Sequence, residues 1–334
     1  MTDYLIVGQG IAGSFLAWNL LQQGKSVVII DNSHFESSSM VSAGIINPIT
    51  GRRFALTDEF LQYFEFAQQV YGELEKLFGQ KFFEVKPILR AFQNQDEYDH
   101  CLRKYEQNLL ADYLESFNKP RTYSENMNDA LGSIVISKAG FCHAARILKS
   151  FKEFFIRQKV LIQQKFVYDD LKIRDDHVQF QGDKFHEVIF CEGHQARFNP
   201  WFQHVSFNCV KGEILRIEME AKDLPDCILN KGKWCVPLGS SRWNAGATYD
   251  LDNLDCKTTE EGRQEILAGL NAFLSRDIKV VDHQAGIRPV LENQKPILEQ
   301  HPEMPYMSIF NGLGSKGFLL APYLAAHYRA IIRK

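Results

Sequence analysis

Three glycines, Gly8, Gly10 and Gly13, stand at a spacing that can do chemistry. The apolar stretch from Tyr4 to Val7 precedes them. An apolar run from Ile11 to Leu21 follows, with Ala12, Leu16 and Leu20 at helical spacing. Gly24 can end that helix, and a second apolar run, Val27 to Ile30, ends on Asp31. The order is strand, tight turn, helix, strand, acid, and each part can help hold a dinucleotide. Gly8 permits the sharp turn, Gly10 lets the backbone approach a pyrophosphate, and Gly13 lets the helix lie close on the strand. The helix start offers unpaired N–H groups and partial positive charge to phosphates. Asp31 is placed to accept hydrogen bonds from a ribose diol. Its charge would repel a 2′-phosphate, which disfavours NADP and leaves FAD or NAD.

The surrounding elements must position this turn. Val27 to Ile30 is continuously apolar, as in a parallel strand covered on both faces. Beyond Asp31 the chain is polar and serine-rich, through Asn32-Ser33 and Ser37-Ser38-Ser39, and reaches Ser42-Ala43-Gly44-Ile45. Those small residues suit either a second close backbone approach or a plain surface loop. Helical patterns cover Phe60 to Phe78, Asp96 to Leu114, Ala144 to Lys159 and Thr259 to Leu274, the last capped by Thr258 or Thr259. Strand patterns cover Phe82 to Phe92, Ile134 to Ile136, Leu161 to Val167 and Val178 to Gln181. Another apolar strand, Glu187 to Phe190, arrives at Cys191-Glu192-Gly193, in the manner of a parallel strand reaching a cofactor edge. Short strands and turns from Val210 to Asp250 indicate an antiparallel sheet. Near the end, Met307 to Phe310 is a strand. Asn311-Gly312-Leu313-Gly314-Ser315-Lys316-Gly317 is a glycine turn, and Phe318 to Ile332 reads as a helix.

The expected fold class is therefore α/β (α+β overall). A Rossmann-like domain is interleaved with an antiparallel-sheet substrate domain. The nucleotide domain is expected from residues 1–50, 135–205 and 285–334, and the substrate or cap domain from 51–134 and 206–284.

Composition narrows the function class. A chain of 334 residues is comfortable for two domains. Its 45% hydrophobic and 24% charged content is that of an ordinary globular protein. A net charge of −3 gives no overall basic footprint for a nucleic acid. The seven cysteines include no CxxC pair and are expected as reduced thiols, with no metal site. No secretory pattern opens the chain, and no segment approaches the ~20 apolar residues needed to span a bilayer. A soluble cytoplasmic protein with no membrane partner is expected.

Taken together, these pieces resemble the flavin-dependent D-amino-acid oxidase superfamily, most closely its glycine-oxidase-like members. They are also similar to the oxidase domain of the bifunctional enzyme that matures wobble-uridine side chains in tRNA. The resemblance runs over nearly the whole chain. It rests on the N-terminal glycine turn, Ser42-Ala43-Gly44, Cys191-Glu192-Gly193, Lys211-Gly212-Glu213 and Gly246-Ala247-Thr248. Ala285-Gly286-Ile287-Arg288-Pro289 and the segment from Asn311 to Pro322 complete it.

That resemblance implies non-covalent FAD. Gly8, Gly10, Ile11, Ala12 and Gly13 would line the pyrophosphate, and Asp31 and Asn32 would meet the adenosine ribose. Ser42, Ala43, Gly44 and Ile45 would run beside the flavin, and Val167 would touch the adenine side. Cys191 and Gly193 would close the cofactor edge. Gly312, Gly314, Ser315, Lys316, Gly317 and Phe318 would reach the pyrimidine edge of the isoalloxazine. There a helix start and Lys316 would stabilise negative charge on reduced flavin. Arg288 would clamp a substrate carboxylate bidentately; otherwise it caps a turn beside Pro289. Trp234 falls where relatives carry a substrate-contacting tyrosine, and alternatively is a core aromatic. Tyr249 is a further substrate candidate.

The implied activity is oxidation of a small amine or amino acid, such as glycine, sarcosine or a D-amino acid. Hydride passes to flavin N5 and the imine hydrolyses in water, with O₂ or another acceptor taking the electrons. One alternative is a tRNA-modifying oxidase that removes a carboxymethyl group from an aminomethyl uridine. Another is a flavin-binding scaffold without catalysis. An NAD dehydrogenase is disfavoured by the C-terminal glycine turn and helix. The expected outcome is a yellow purified protein with flavin absorption bands. Anaerobic glycine, sarcosine, a D-amino acid or proline should bleach it, and a colourless protein that refuses added FAD would contradict the whole reading.

Overall fold

A computed structural model describes residues 1–32 and 37–332. The expected Ser33 lies outside the described residues. The first sheet has a parallel centre. Strand Thr2–Val7 pairs with Val27–Asp31 on one side and with Asp183–Phe190 on the other. Leu161–Gln163 extends the sheet beyond Val27–Asp31. The far edge of Asp183–Phe190 is shared. Its first residues pair with the antiparallel strand Val178–Phe180, and its last with the parallel strand Met307–Asn311. Both ends of the chain thus meet on one central strand.

The continuous apolar runs are explained by burial on both faces. Tyr4 and Ile6 face the helices Ile11–Gln22, Phe60–Phe78, Ala144–Arg157 and Gly317–Ala326. Leu5 and Val7 face the opposite way, into a core with Phe180, Phe190 and Phe202.

The second sheet has eight strands. Lys279–Arg288, Val210–Glu218, Arg242–Gly246, Lys233–Gly239 and Ile228–Lys231 run in succession, and Ile88–Ala91, Ser133–Ile136 and Leu114–Asn118 complete it. The pairing is antiparallel except where Ile228–Lys231 meets Ile88–Ala91. Period-two alternation sorts its side chains. Leu89, Leu229, Cys235 and Ala245 pack with Ile266 and Leu270 of helix Glu260–Phe273. Ile88, Ile228 and Val236 face the other way, onto Ala43, Ile49 and Phe54. The expected domain limits at residues 135 and 285 fall inside strands Ser133–Ile136 and Lys279–Arg288, both of this second sheet.

Several expected elements differ in extent. The helix expected from Asp96 to Leu114 spans Gln95–Glu106. Beyond it the chain turns, with Asn108 at φ 59°, buries Leu110, and sends Leu114–Asn118 into the second sheet. The run from Phe82 to Phe92 splits into Phe83–Val85 and Ile88–Ala91 around Pro87, which cannot donate to a ladder. The strand expected to Val167 stops at Gln163. The C-terminal helix divides into Gly317–Ala326 and Tyr328–Ile332 at His327.

Pro322 lies inside helix Gly317–Ala326. Its missing N–H would have met the Phe318 carbonyl one turn back. The fully buried Tyr71 hydroxyl donates to that carbonyl instead, at 2.7 Å. This bond ties helix Phe60–Phe78 to the first turn of the helix beside the C-terminal glycine turn. Tyr71→Phe should cost about 1–3 kcal/mol by leaving a buried carbonyl unsatisfied. Urea unfolding measures it, and an unchanged midpoint and slope would show that the carbonyl is satisfied otherwise.

Candidate active site

A cleft of about 1140 Å³ opens along the C-terminal ends of the central parallel strands. Its floor is bare backbone. Gly8 has φ 101°, and a Cβ there would collide with the Cys191 carbonyl. A Cβ on Gly13 would collide with the Gly8 carbonyl, so helix Ile11–Gln22 can approach the strand only with glycine at that position. The atom nearest to a Cβ on Gly10 would be Ser39 Oγ, at 3.3 Å. No side chain caps this helix at Gly10. The Ile11 N–H donates to Ser39 Oγ at 3.1 Å, and the Gln9 N–H donates to Asp31 Oδ2 at 2.8 Å, which fixes the acid beside the turn.

Of the residues singled out from sequence, Gly8, Gly10, Ile11, Ala12, Asp31 and Asn32 line the cleft at one end. Ser42, Val167, Cys191 and Gly193 line its walls, and Gly314, Ser315, Gly317 and Phe318 its other end. Gly13, Ala43, Gly44, Ile45, Gly312 and Lys316 are not in the lining. Gly13 is turned into the helix–strand contact. Ala43 is buried in the core under the second sheet. Gly44 and Ile45 are held against strand Gly140–Cys142 by the Cys142 N–H to Gly44 carbonyl bond (2.9 Å) and the Ile45–Phe141 pairing. Gly312 has φ 73° and sits against Leu291. Lys316 takes the N-cap position of helix Gly317–Ala326. Burial pushes its amine below the ordinary lysine value, and the charge of Asp58 opposes that.

The cleft also draws on residues the motifs did not single out. Ser39 comes from the short helix Ser38–Val41, and Asn311 immediately precedes the C-terminal glycine turn. The Asn311 amide donates to the Gly193 carbonyl at 2.9 Å and its Oδ1 accepts the Gly312 N–H at 2.8 Å, joining the two glycine segments. Tyr168, Glu192 and Cys256 line the walls. Asn311 and Glu192 lie inside quoted motifs, whereas the segment bearing Cys256 gave no pattern to read. Six of the seven cysteines are buried, and Cys256 is partly exposed.

Arg288 and Trp234 lie outside the lining, in the adjoining sheet, and Tyr249 lies outside it in the loop after strand Arg242–Gly246. Arg288 is the last residue of its strand, and the next residue, Pro289, lines the cleft. Register puts Arg288 opposite Val210, Gly286 opposite Gly212, and Gly246 opposite both Ile214 and Trp234. Directly opposed residues share a face, so Arg288, Trp234 and these three glycines share one. A Cβ on Gly212 would collide with the Arg288 guanidinium, so glycine makes the seat on which that group lies. A Cβ on Gly286 would touch Ser38 Cα at 3.2 Å, so the same face abuts the serine segment of the cleft wall. The Arg288 guanidinium has no hydrogen-bond or ion-pair partner among the described residues. Burial lowers its pKa from the ordinary arginine value, with the nearby Tyr249 phenol opposing. Tyr249 itself is 71% exposed.

The opposite face of strand Val210–Glu218 carries paired charges. Lys211 Nζ meets Asp255 Oδ1 at 2.8 Å. Glu213 accepts the Thr259 N–H at 2.9 Å and the Thr259 hydroxyl at 2.8 Å, pinning the start of helix Glu260–Phe273. Thr259 also caps that helix through the Gly262 N–H, at 3.0 Å.

The residues present suit FAD. A glycine turn, a helix start whose N-cap residue has no side chain and an adjacent acid serve the nucleotide half. A second glycine turn at a helix start closes the opposite end, where the flavin would need it. Among the described residues no helix is long and apolar enough to cross a membrane.

Comparison with known proteins agrees with this geometry. The profile of the FAD dependent oxidoreductase (DAO) family matches residues 3–330. The tRNA 5-methylaminomethyl-2-thiouridine biosynthesis bifunctional protein of Marinobacter nauticus is 24% identical over 97% of the chain, which covers 54% of that protein. The chain thus spans about half the length of this relative. Glycine oxidase of Bacillus licheniformis is 22% identical, over 96% of this chain and 90% of that one. Among solved structures, glycine oxidase from Geobacillus kaustophilus superposes with a TM-score of 0.84 at 20% identity, covering 99% of this chain and 94% of that one. The chain has the Rossmann-like fold of the FAD-dependent oxidases, and it belongs to the FAD dependent oxidoreductase family, with FAD as its cofactor.

Proposed function

We propose that this FAD-dependent oxidoreductase oxidises the C–N bond of a small amine that carries a carboxylate, of the glycine, sarcosine or D-amino-acid class. One observation carries the reading: Arg288, a half-buried guanidinium without a partner among the described residues, is seated on glycine one residue before the cleft wall. An unpaired buried cation is costly, and a carboxylate in bidentate contact offsets that cost. FAD, when bound, supplies the hydride acceptor and the route for electrons to O₂ or another acceptor. The protein's part is binding and orientation. Arg288 would fix the carboxylate end of the substrate. Trp234, on the same face, would wall the site and exclude water beside the carbon that is oxidised. Tyr249, exposed and close to Arg288, would cover the substrate from solvent. The uncapped start of helix Gly317–Ala326 would stabilise negative charge at the flavin end of the cleft. The reading also takes residues 1–50, 135–205 and 285–334 as the FAD-binding domain and the rest as the substrate domain.

A second reading is supported by similarity to the bifunctional tRNA proteins. A carboxymethyl group on an aminomethyl uridine is an N-substituted glycine, so the same arginine could hold its carboxylate. Arg288→Ala should weaken any carboxylate substrate by about 2–4 kcal/mol, as for a truncated charge pair, while FAD stays bound. Steady-state KM, or the substrate dependence of anaerobic bleaching, measures the loss. An unchanged KM removes the clamp. A flavin bleached by the modified RNA but by no free amine would favour the second reading, and one bleached by neither would favour a binding protein without catalysis.

A further inference from the structure

One acid in the cleft has no part in the chemistry above. Glu192 directly follows Cys191 beyond the end of strand Asp183–Phe190. Its backbone touches the phosphate-binding turn, because a Cβ on Gly8 would lie 3.5 Å from Glu192 Cα. Glu192 lines the same cleft. The Tyr168 hydroxyl donates to Glu192 Oε1 at 2.6 Å, and the Asn199 amide donates to Oε2 at 2.8 Å. Tyr168 comes from the short helical turn Tyr168–Asp170, and the buried Asn199 follows the helix Gly193–Phe198. The Cys191 thiol is the other titratable neighbour. The surroundings are aromatic: Tyr168 packs edge-on against Trp201, which stacks on Phe190. No lysine, arginine or histidine forms an ion pair with Glu192 among the described residues.

We propose that Glu192 makes FAD retention proton-linked, the protein holding its cofactor with the carboxyl protonated and loosening its hold when the carboxyl ionises. The inference rests on the assignment of this cleft to FAD. The pyrophosphate brings negative charge to the turn that Glu192 adjoins, and the bound cofactor removes water from the carboxyl. Both effects disfavour the carboxylate. Burial by the protein's own residues already pushes the Glu192 carboxyl up to about 7, against the lowering pull of Tyr168 and Asn199. Its titration therefore falls near neutrality rather than in the usual carboxylate range. The loaded state has the higher pKa, so it binds more protons. Affinity is full below the pKa of the empty cleft and falls as pH rises through it, until the pKa of the loaded cleft is passed.

The test uses the flavin-loaded protein, diluted stepwise between about pH 6 and pH 9, with released FAD read by its fluorescence. Wild type should show a Kd that is flat at the acid end. Above about pH 7 it should climb towards a tenfold rise per pH unit, the limit for one linked proton. Glu192→Gln keeps the size and one acceptor oxygen but cannot ionise, and should lose that climb. Tyr168→Phe removes a bond that favours the carboxylate, and should move the start of the climb to higher pH. A slope shared by all three proteins would assign it to another group, and a flat wild-type profile would exclude the linkage; either overturns the proposal. A wild-type protein that retains no FAD at any pH would overturn the cofactor assignment itself.

Discussion

Backbone has to stand bare where a phosphate is to be gripped by N–H groups, and the rest of this structure is arranged around that constraint. Gly8, Gly13 and the Cys191 carbonyl crowd together at one crossing, where any side chain would collide. Their closeness sets how near the first helix lies to the central strand. That in turn sets where its uncapped start points. The second helix to reach the cleft, Gly317–Ala326, packs against the first, and a Cβ on Gly317 would touch Ile11 Cγ2 at 3.0 Å. One steric requirement thus fixes two helix starts relative to each other.

The second sheet solves a different problem with the same residue type. Gly212, Gly246 and Gly286 leave room on the face that carries Arg288 and Trp234. On the other face Lys211 and Glu213 are paired and buried under helix Glu260–Phe273. The strand Val210–Glu218 therefore divides satisfied charge from unsatisfied charge. Ion pairs and a helix cap hold it in place, and with it the glycine seat of the Arg288 guanidinium. Buried ion pairs contribute little net stability, but breaking one is costly, so such a strand resists displacement.

Much of this was legible in the chain. The nucleotide half follows from glycine spacing and apolar runs, because local sterics and two-sided burial leave signatures within about thirty residues. The cleft also takes Asp31, Ser42 and Phe318 from the residues the motifs named. Long-range pairing left weaker marks. Nothing between Asp96 and Leu114 announces that the last residue will join a sheet, since the partner strand, Ser133–Ile136, lies outside that window. The helix-compatible pattern is cut short by the turn at Asn108, and only Leu114 of this window enters the sheet. Ala43, Gly44 and Ile45 have the small or apolar character of a cofactor wall, but their packing against strand Gly140–Cys142 and the second-sheet core cannot be read from their own segment. Ser39 and Tyr168 were not singled out because a single hydroxyl residue in a very short helical turn carries no spacing.

The sharing of strand Asp183–Phe190 between the start and the end of the chain bears on biosynthesis. Thr2–Val7 is made well before the strand it pairs with, and Met307–Asn311 is made later still. Until then the apolar edges of the nascent sheet have no cover, and the prosthetic group has no enclosing wall. Closure of the cofactor cleft thereby waits for the last strand of this sheet, and the earlier segments are open to aggregation or to chaperones in the interval.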